Sequence, residues 1–250
     1  MNYQLISISL MASLSLRQEP VAISFSETIP DGVTSYPGRV PAGCRFWEEA
    51  ATRTFATSAA DHSLCAVGVY THNLEPSENH QTDLHDALNV FSQLGYVSND
   101  DLPGIPVLRS RPRYVIYSPL SDVKSSPQVI LLFVDANQTL ILTEAASQVE
   151  HQHPPAMGRP ACAVVPQVIN TGRASLSLGC CGARAYLDNL DAGTAIFAIP
   201  AEKLHLYSSR IEGLAKANSV LSKFHQLRRQ DVEAGTAPTI KESLAVLAAG

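Results

Sequence analysis

The chain lacks the motifs that announce nucleotide or hydrolytic chemistry. It contains no G-x-G-x-x-G, no Walker loop, no H-E-x-x-H and no G-x-S-x-G. These absences take weight from nucleotide-dependent redox chemistry, triphosphate hydrolysis, the common metalloproteases and the serine hydrolases. Charge is scarce as well. Only 16% of residues are charged, the net charge is -5, and the densest basic stretches, "LRSRPR" (108–113) and "HQLRR" (225–229), are short. Neither makes the electrostatic footprint that a phosphate backbone needs, so nucleic acid is not an expected partner. No run approaches the about 20 apolar residues of a membrane span, and no membrane association is expected. The N-terminal "LISISLMASLSL" has no cationic flank and is followed by Arg17 and Glu19. It therefore reads as a helix docking through Leu5, Ile6, Leu10 and Leu14 rather than as an export signal.

A compact C-x2-C pair is missing too. Five cysteines (44, 65, 162, 180 and 181) are spread over 250 residues of which 45% are hydrophobic. A chain of this size buries a core without cross-links, and an odd, scattered set argues against a disulfide framework. The thiols read as reduced and the protein as cytoplasmic. Burial, catalysis and metal binding remain open for them.

What is present is an alternation of strands and helices. "PVAISF" (20–25), "RYVIYSPL" (113–120), "QVILLFVD" (128–135) and "GTAIFAIP" (193–200) carry strand composition. "LCAVGVY" (64–70) is a shorter strand candidate, and "QTLILTEAAS" (138–147) a strand or a short helix. Helices are expected over 44–57, over 80–95 with Gly95 as its stop, over 162–172 closed by Gly172, and through the long pattern from Glu202 to Val232. Residues 150–161 read as a proline-rich loop. These elements make an α/β (or α+β) fold with a mixed sheet and a long C-terminal helix. One domain over 1–235 is expected, built from halves of about 1–120 and 121–235, followed by a partly frayed tail over 236–250.

The halves echo one another. The order Cys44, Cys65, Gly68, Tyr70 is matched by Cys162, Cys180 or Cys181, Gly182, Tyr186, at similar but unequal separations. An internal pseudo-twofold would bring both sets to one interface. In "SLGCCGARAY" (177–186) a strand runs into a glycine-flanked turn, where backbone amides and Arg184 can lower a thiol pKa. In "ADHSLCAVGVYTHNL" (60–74), His62 and His72 flank Cys65. Asp61 either orients the imidazole or caps a turn.

These two segments, with "PVAISF" and "KANSVLSKFHQLRR" (216–229), resemble the uncharacterised DUF169 family over about residues 10 to 230. By motif the resemblance ranks Cys44, Asp61, Cys65, Gly68, Gly179, Cys180, Gly182 and Arg184, with Cys181 behind them. It implies no established activity.

Three chemistries follow from the residues. If Cys44, Cys65, Cys162 and Cys180 converge, four thiolates suit tetrahedral zinc or an iron–sulfur cluster and redox work on a small molecule. Arg184 would then offset thiolate charge or bind an anionic substrate. Without metal, Cys180 or Cys65 becomes a nucleophile with His62 as base. The third reading is a non-catalytic haem or small-ligand binder using Cys and His, with His151 and His153 in reserve. A homo-oligomer is compatible with all three.

Overall fold

Four apolar runs form the middle of one sheet because neither face of any of them tolerates water. The computed structural model describes residues 1–98, 100–236 and 239–248. Its central strands are β1 (Val21–Ser26), β3 (Tyr114–Pro119), β4 (Val129–Val134) and β7 (Ala195–Pro200). Shorter strands β2 (Phe55–Thr57), β5 (Ala156–Met157) and β6 (Ser175–Ser177) flank them in the order β2-β3-β1-β4-β7-β6-β5. All pairs are antiparallel except β5 with β6, so the sheet is mixed. Every residue of β4 and β7 is buried, as continuous apolar strands covered on both sides must be.

Strand alternation divides the core in two. Ile130, Leu132 and Val134 pack with α1 (Tyr3–Leu14), α5 (Ala136–Glu150) and α8 (Leu204–Glu233) on one face. Val129, Leu131 and Phe133 pack with α2 (Arg45–Ala50), α3 (Ala66–Thr71), α6 (Val164–Thr171) and α7 (Cys181–Tyr186) on the other. α4 (Glu78–Gln93) lies against α3, and α9 (Ile240–Ala248) against α8.

Strand order is the same in the two halves. Counted along the chain, the first half runs second-third-first (β2-β3-β1) and the second half likewise (β6-β7-β4, setting aside β5). Each third strand also ends in a proline and a 3-10 turn. The first turn residue donates back to the residue preceding that half's first strand, Leu120 N–H to Pro20 O at 2.8 Å and Ala201 N–H to Gln128 O at 3.0 Å. The halves meet along β1 and β4, whose pairing runs only from Val21↔Leu131 to Ile23↔Val129, half the length of β1–β3 or β4–β7.

Several sequence expectations change. Residues 64–70 are not a strand: α3 occupies this stretch. Cys65, Gly68, Val69 and His72 share one helix face at i, i+3, i+4 and i+7, and Leu64 is 60% exposed. A seven-residue apolar run satisfies both periods, and packing decides between them. The helix from Cys44 stops at Ala50, and Phe55–Thr57 becomes β2 against β3, because Thr54, Phe55 and Thr57 favour a pleated surface. Residues 138–147 are helical inside α5, started by a capping box between Asp135 and Gln138. The proline-rich loop contributes β5. α1 docks through Leu10 and Leu14, while Leu5 points outward at 63% exposure. In the tail, α9 is helical, and residues 237–238 and 249–250 lie outside the described residues. No described helix is long and apolar enough to cross a membrane.

Candidate functional site

Four cysteines stand at the starts of four helical segments on one face of the sheet. Cys44, Cys65 and Cys180 are the N-cap residues of α2, α3 and α7, and Cys162 sits in the 3-10 turn Ala161–Ala163 that leads into α6. Helix starts leave backbone N–H groups without intrahelical partners, and at Cys180 one of them serves the sulfur. Ala183 N–H donates to Cys180 Sγ at 3.5 Å. The amides of Gly43 and Gly68 lie near enough to Cys65 Sγ to pull its pKa down, without a capping hydrogen bond. Thr71 Oγ1 donates to Cys162 Sγ at 3.3 Å.

The thiols are close enough to feel one another's charge. Burial pushes Cys44 up to about 12, and Cys65 and Cys180 add to the rise. Burial likewise raises Cys65 against the pull of the two glycine amides, with Cys180 adding to it. Cys162 is driven well above its ordinary value by burial first, then by Cys65, opposed by the Thr71 hydroxyl, with Cys44 and Cys180 contributing less. Tyr117, fully buried on β3, belongs to the same cluster: burial raises its hydroxyl, followed by Cys65, Cys162 and Cys44. As bare groups these three thiols are neutral at pH 7, and thiolates would need a cation beside them.

Two buried histidines adjoin the sulfurs. His62 ends the 3-10 turn Ala59–His62 and is fully buried. Its Nε2 lies 3.3 Å from Thr57 Oγ1, its ring meets Phe46 edge-on at 4.9 Å, and its Nδ1 has no partner. From α4, His80 Nε2 donates to the His62 carbonyl at 3.2 Å while its Nδ1 accepts Ser77 N–H at 3.1 Å. His72 closes α3 with neither ring nitrogen partnered, 6.2 Å from the His62 ring and 5.4 Å from Phe25. Burial lowers His62 to about 3, helped by His72 and His80, and lowers His72 to about 4. Both imidazoles are neutral.

Two glycines make room for this arrangement. A Cβ on Gly43 would sit 2.6 Å from His62 Nδ1 and 3.7 Å from Cys65 Sγ, and a Cβ on Gly68 would sit 3.3 Å and 2.9 Å from the same atoms. The imidazole nitrogen and the sulfur therefore face the same two points. Gly43→Ala is expected to lower stability by about 1–3 kcal/mol, the range for overpacking, because Phe46 and Thr57 leave the His62 ring nowhere to go. Urea unfolding checks this, and an unchanged midpoint would show that the ring has slack.

Other sequence candidates are placed elsewhere. Asp61 caps: its Oδ2 accepts Ser58 N–H at 2.7 Å and Ser58 Oγ at 2.9 Å. Arg184 gives its guanidinium to the carbonyls of Leu178, Asp191 (2.7 Å) and Thr194 (3.2 Å), fixing the turn after β6 rather than meeting a thiol. That turn needs Gly179, at φ +82°, where a Cβ would also strike Leu190 at 2.9 Å. Cys181 is exposed, with its N–H on Tyr96 Oη at 3.4 Å, and His151 and His153 are exposed. Among the described residues, no three His, Cys, Asp or Glu side chains are gathered to hold a metal ion. Tyr117, Thr57, Thr71 and Gly43 were not legible as site residues. Only the helical spacing of Cys65, Gly68 and His72 offered a signal.

The model of the DUF169 family, described as "Uncharacterised ArCR", matches residues 9–209. No curated protein and no solved structure matches the chain.

Proposed function

Because the chain belongs to the DUF169 family, whose description assigns no activity, we propose its function from the site alone: a thiolate-held metal or iron–sulfur centre between the two halves, doing redox work on a small molecule. The observation that carries this reading is that Cys44, Cys65, Cys162 and Cys180, two from each half, influence one another's charge, with an O–H and an N–H donor on the sulfurs of Cys162 and Cys180. Hydrogen bonds to sulfur favour the thiolate and tune the potential of a bound centre. Neighbouring thiolates repel one another unless a soft cation offsets them, and sulfur donors select such cations.

The donor set fits the group. The buried His62 Nδ1 has no partner in the fold and is an acceptor that a cation would satisfy. Among the described residues no three donors are gathered about one ion, so the proposal requires the side chains to close on it. When bound, an iron–sulfur centre supplies electron transfer and zinc supplies Lewis acidity. The protein's part is to exclude water, hold the thiols on rigid helix starts and orient them with amides. The pseudo-twofold relation of the halves, a reducing cytoplasmic setting, a small-molecule partner and a homo-oligomer belong to the same proposal.

The metal-free alternative has one point in its favour, that Cys65 Sγ and His62 Nδ1 face the same glycines. Against it, burial raises the thiol and lowers the imidazole, the reverse of what a thiolate–imidazolium pair requires.

Protein purified without oxygen is expected to contain one metal or cluster per chain by elemental analysis. Visible absorption is expected if it is iron–sulfur, with loss of the centre in Cys65→Ser and Cys180→Ser. A metal-free, colourless product from both aerobic and anaerobic preparations sinks the proposal.

A further inference from the structure

We infer that His62 is itself a ligand of this centre, so that the site is a mixed nitrogen–sulfur site for zinc or iron rather than an all-thiolate one. The inference rests on the metal reading above and adds to it.

Four observations converge on His62 Nδ1. The first is spacing. "HSLC" places His62 three residues before Cys65, across the junction between a 3-10 turn and the start of α3. A local pair of donors at that separation is what all-cysteine readings of this chain lack. The second is direction. Nδ1 and Cys65 Sγ both face the space above Gly43 and Gly68, and at both positions a methyl group would intrude on them.

The third is the unmet valence. The ring is fully buried, yet Nδ1 has no hydrogen-bond partner, and a buried polar atom left unpaired calls for an explanation. The fourth is support on the far side of the ring. Nε2 is tied to Thr57 Oγ1 at 3.3 Å, and a hydrogen bond on the opposite nitrogen is how proteins fix the tautomer and aim of a metal-bound histidine. Phe46, edge-on at 4.9 Å, and the His80 bond to the His62 carbonyl hold the ring and its backbone in that aim.

His72 is the control. Its ring is also buried and unpartnered, but it lies 6.2 Å behind His62 and packs on Phe25. The atoms nearest to a Cβ on either glycine belong to His62 and Cys65, not to His72.

The test is zinc K-edge absorption on the full-length chain reconstituted with zinc under anaerobic conditions. The expected wild-type shell contains sulfur at about 2.3 Å and one nitrogen at about 2.0–2.1 Å. The nitrogen should vanish in His62→Gln and persist in His72→Gln. An all-sulfur shell in the wild type overturns the inference while leaving the metal reading intact, and so does a nitrogen that survives His62→Gln. Failure of wild-type protein to bind zinc or iron at all overturns both. Thr57→Val keeps side-chain shape and removes only the bond to Nε2. It is expected to weaken zinc binding about 10–100-fold in competition with a chromophoric chelator, and unchanged affinity counts against His62 as ligand.

Discussion

Phe46→Ala is expected to cost about 3–5 kcal/mol of stability. Phe46 is completely buried on α2 and is the hub of an aromatic group: Tyr36 at 4.9 Å, His62 at 4.9 Å, Tyr117 at 5.6 Å and Phe55 at 5.9 Å. Truncation removes the transfer free energy of the ring. It also leaves a cavity bounded by β-sheet on one side, where the backbone cannot follow. Helix α2 has six residues and little propensity to draw on, so its packing is most of its stability. The same cavity frees the His62 ring, and retention of the proposed metal is expected to fall alongside stability. Urea unfolding gives the number. A loss below about 1 kcal/mol would mean that the neighbouring rings collapse into the space and that the site is softer than its packing suggests.

Mild acid is expected to unfold the protein before most carboxylates are protonated. His62 and His72 are fully buried and neutral, with pKa values lowered to about 3 and about 4 from an ordinary 6.5. Below pH 6.5 the unfolded chain takes up protons at both positions while the folded chain does not, so stability rises with pH across this window. It is complete above 6.5, is lost as pH falls toward 4 and then 3, and stops changing below that, where both states are protonated. With two protons in play the slope approaches about 2.7 kcal/mol per pH unit. A few units of that slope are comparable with the about 5–15 kcal/mol that holds a typical domain folded. Urea midpoints between about pH 7 and 5 should fall steeply, and His72→Leu should halve the slope. Flat midpoints over that range would mean that water or a polar group already satisfies the imidazoles.

Sequence reading reached the frame of the fold more readily than the site. β1, β3, β4 and β7 were legible because β-branched runs bounded by proline, glycine or aspartate leave few alternatives. α4 and α6 were legible through their glycine stops, Gly95 and Gly172, both at positive φ. α3 was not: in "LCAVGVY" every second residue and every third or fourth residue are equally apolar. The helix wins through contacts that come from Gly43, His62 and Cys162, distant or invisible in a local window. The cysteines could be ranked because thiols carry their chemistry openly and the two halves repeat them. Tyr117, Thr57 and Thr71 could not, because a tyrosine or threonine in a strand or helix looks the same whether it faces a ligand or a core. Arg184 was misleading for a related reason. A guanidinium satisfied by three backbone carbonyls depends on where the chain turns, and no pattern of side chains records that.

The short β1–β4 pairing has a mechanical consequence. It is the seam of the molecule, joined by half the ladder that binds β1 to β3 or β4 to β7, and two of the four cysteines come from the chain on each side of it. The proposed centre, held by His62 and by cysteines of both halves, would work as a rivet across that seam. Closing the seam and gripping the group would then be one equilibrium, so each would tighten the other by the same factor. Loss of the occupant would then be felt first as a loosening between β1 and β4, where amide hydrogen exchange can see it, rather than as disorder at the helix starts that carry the sulfurs.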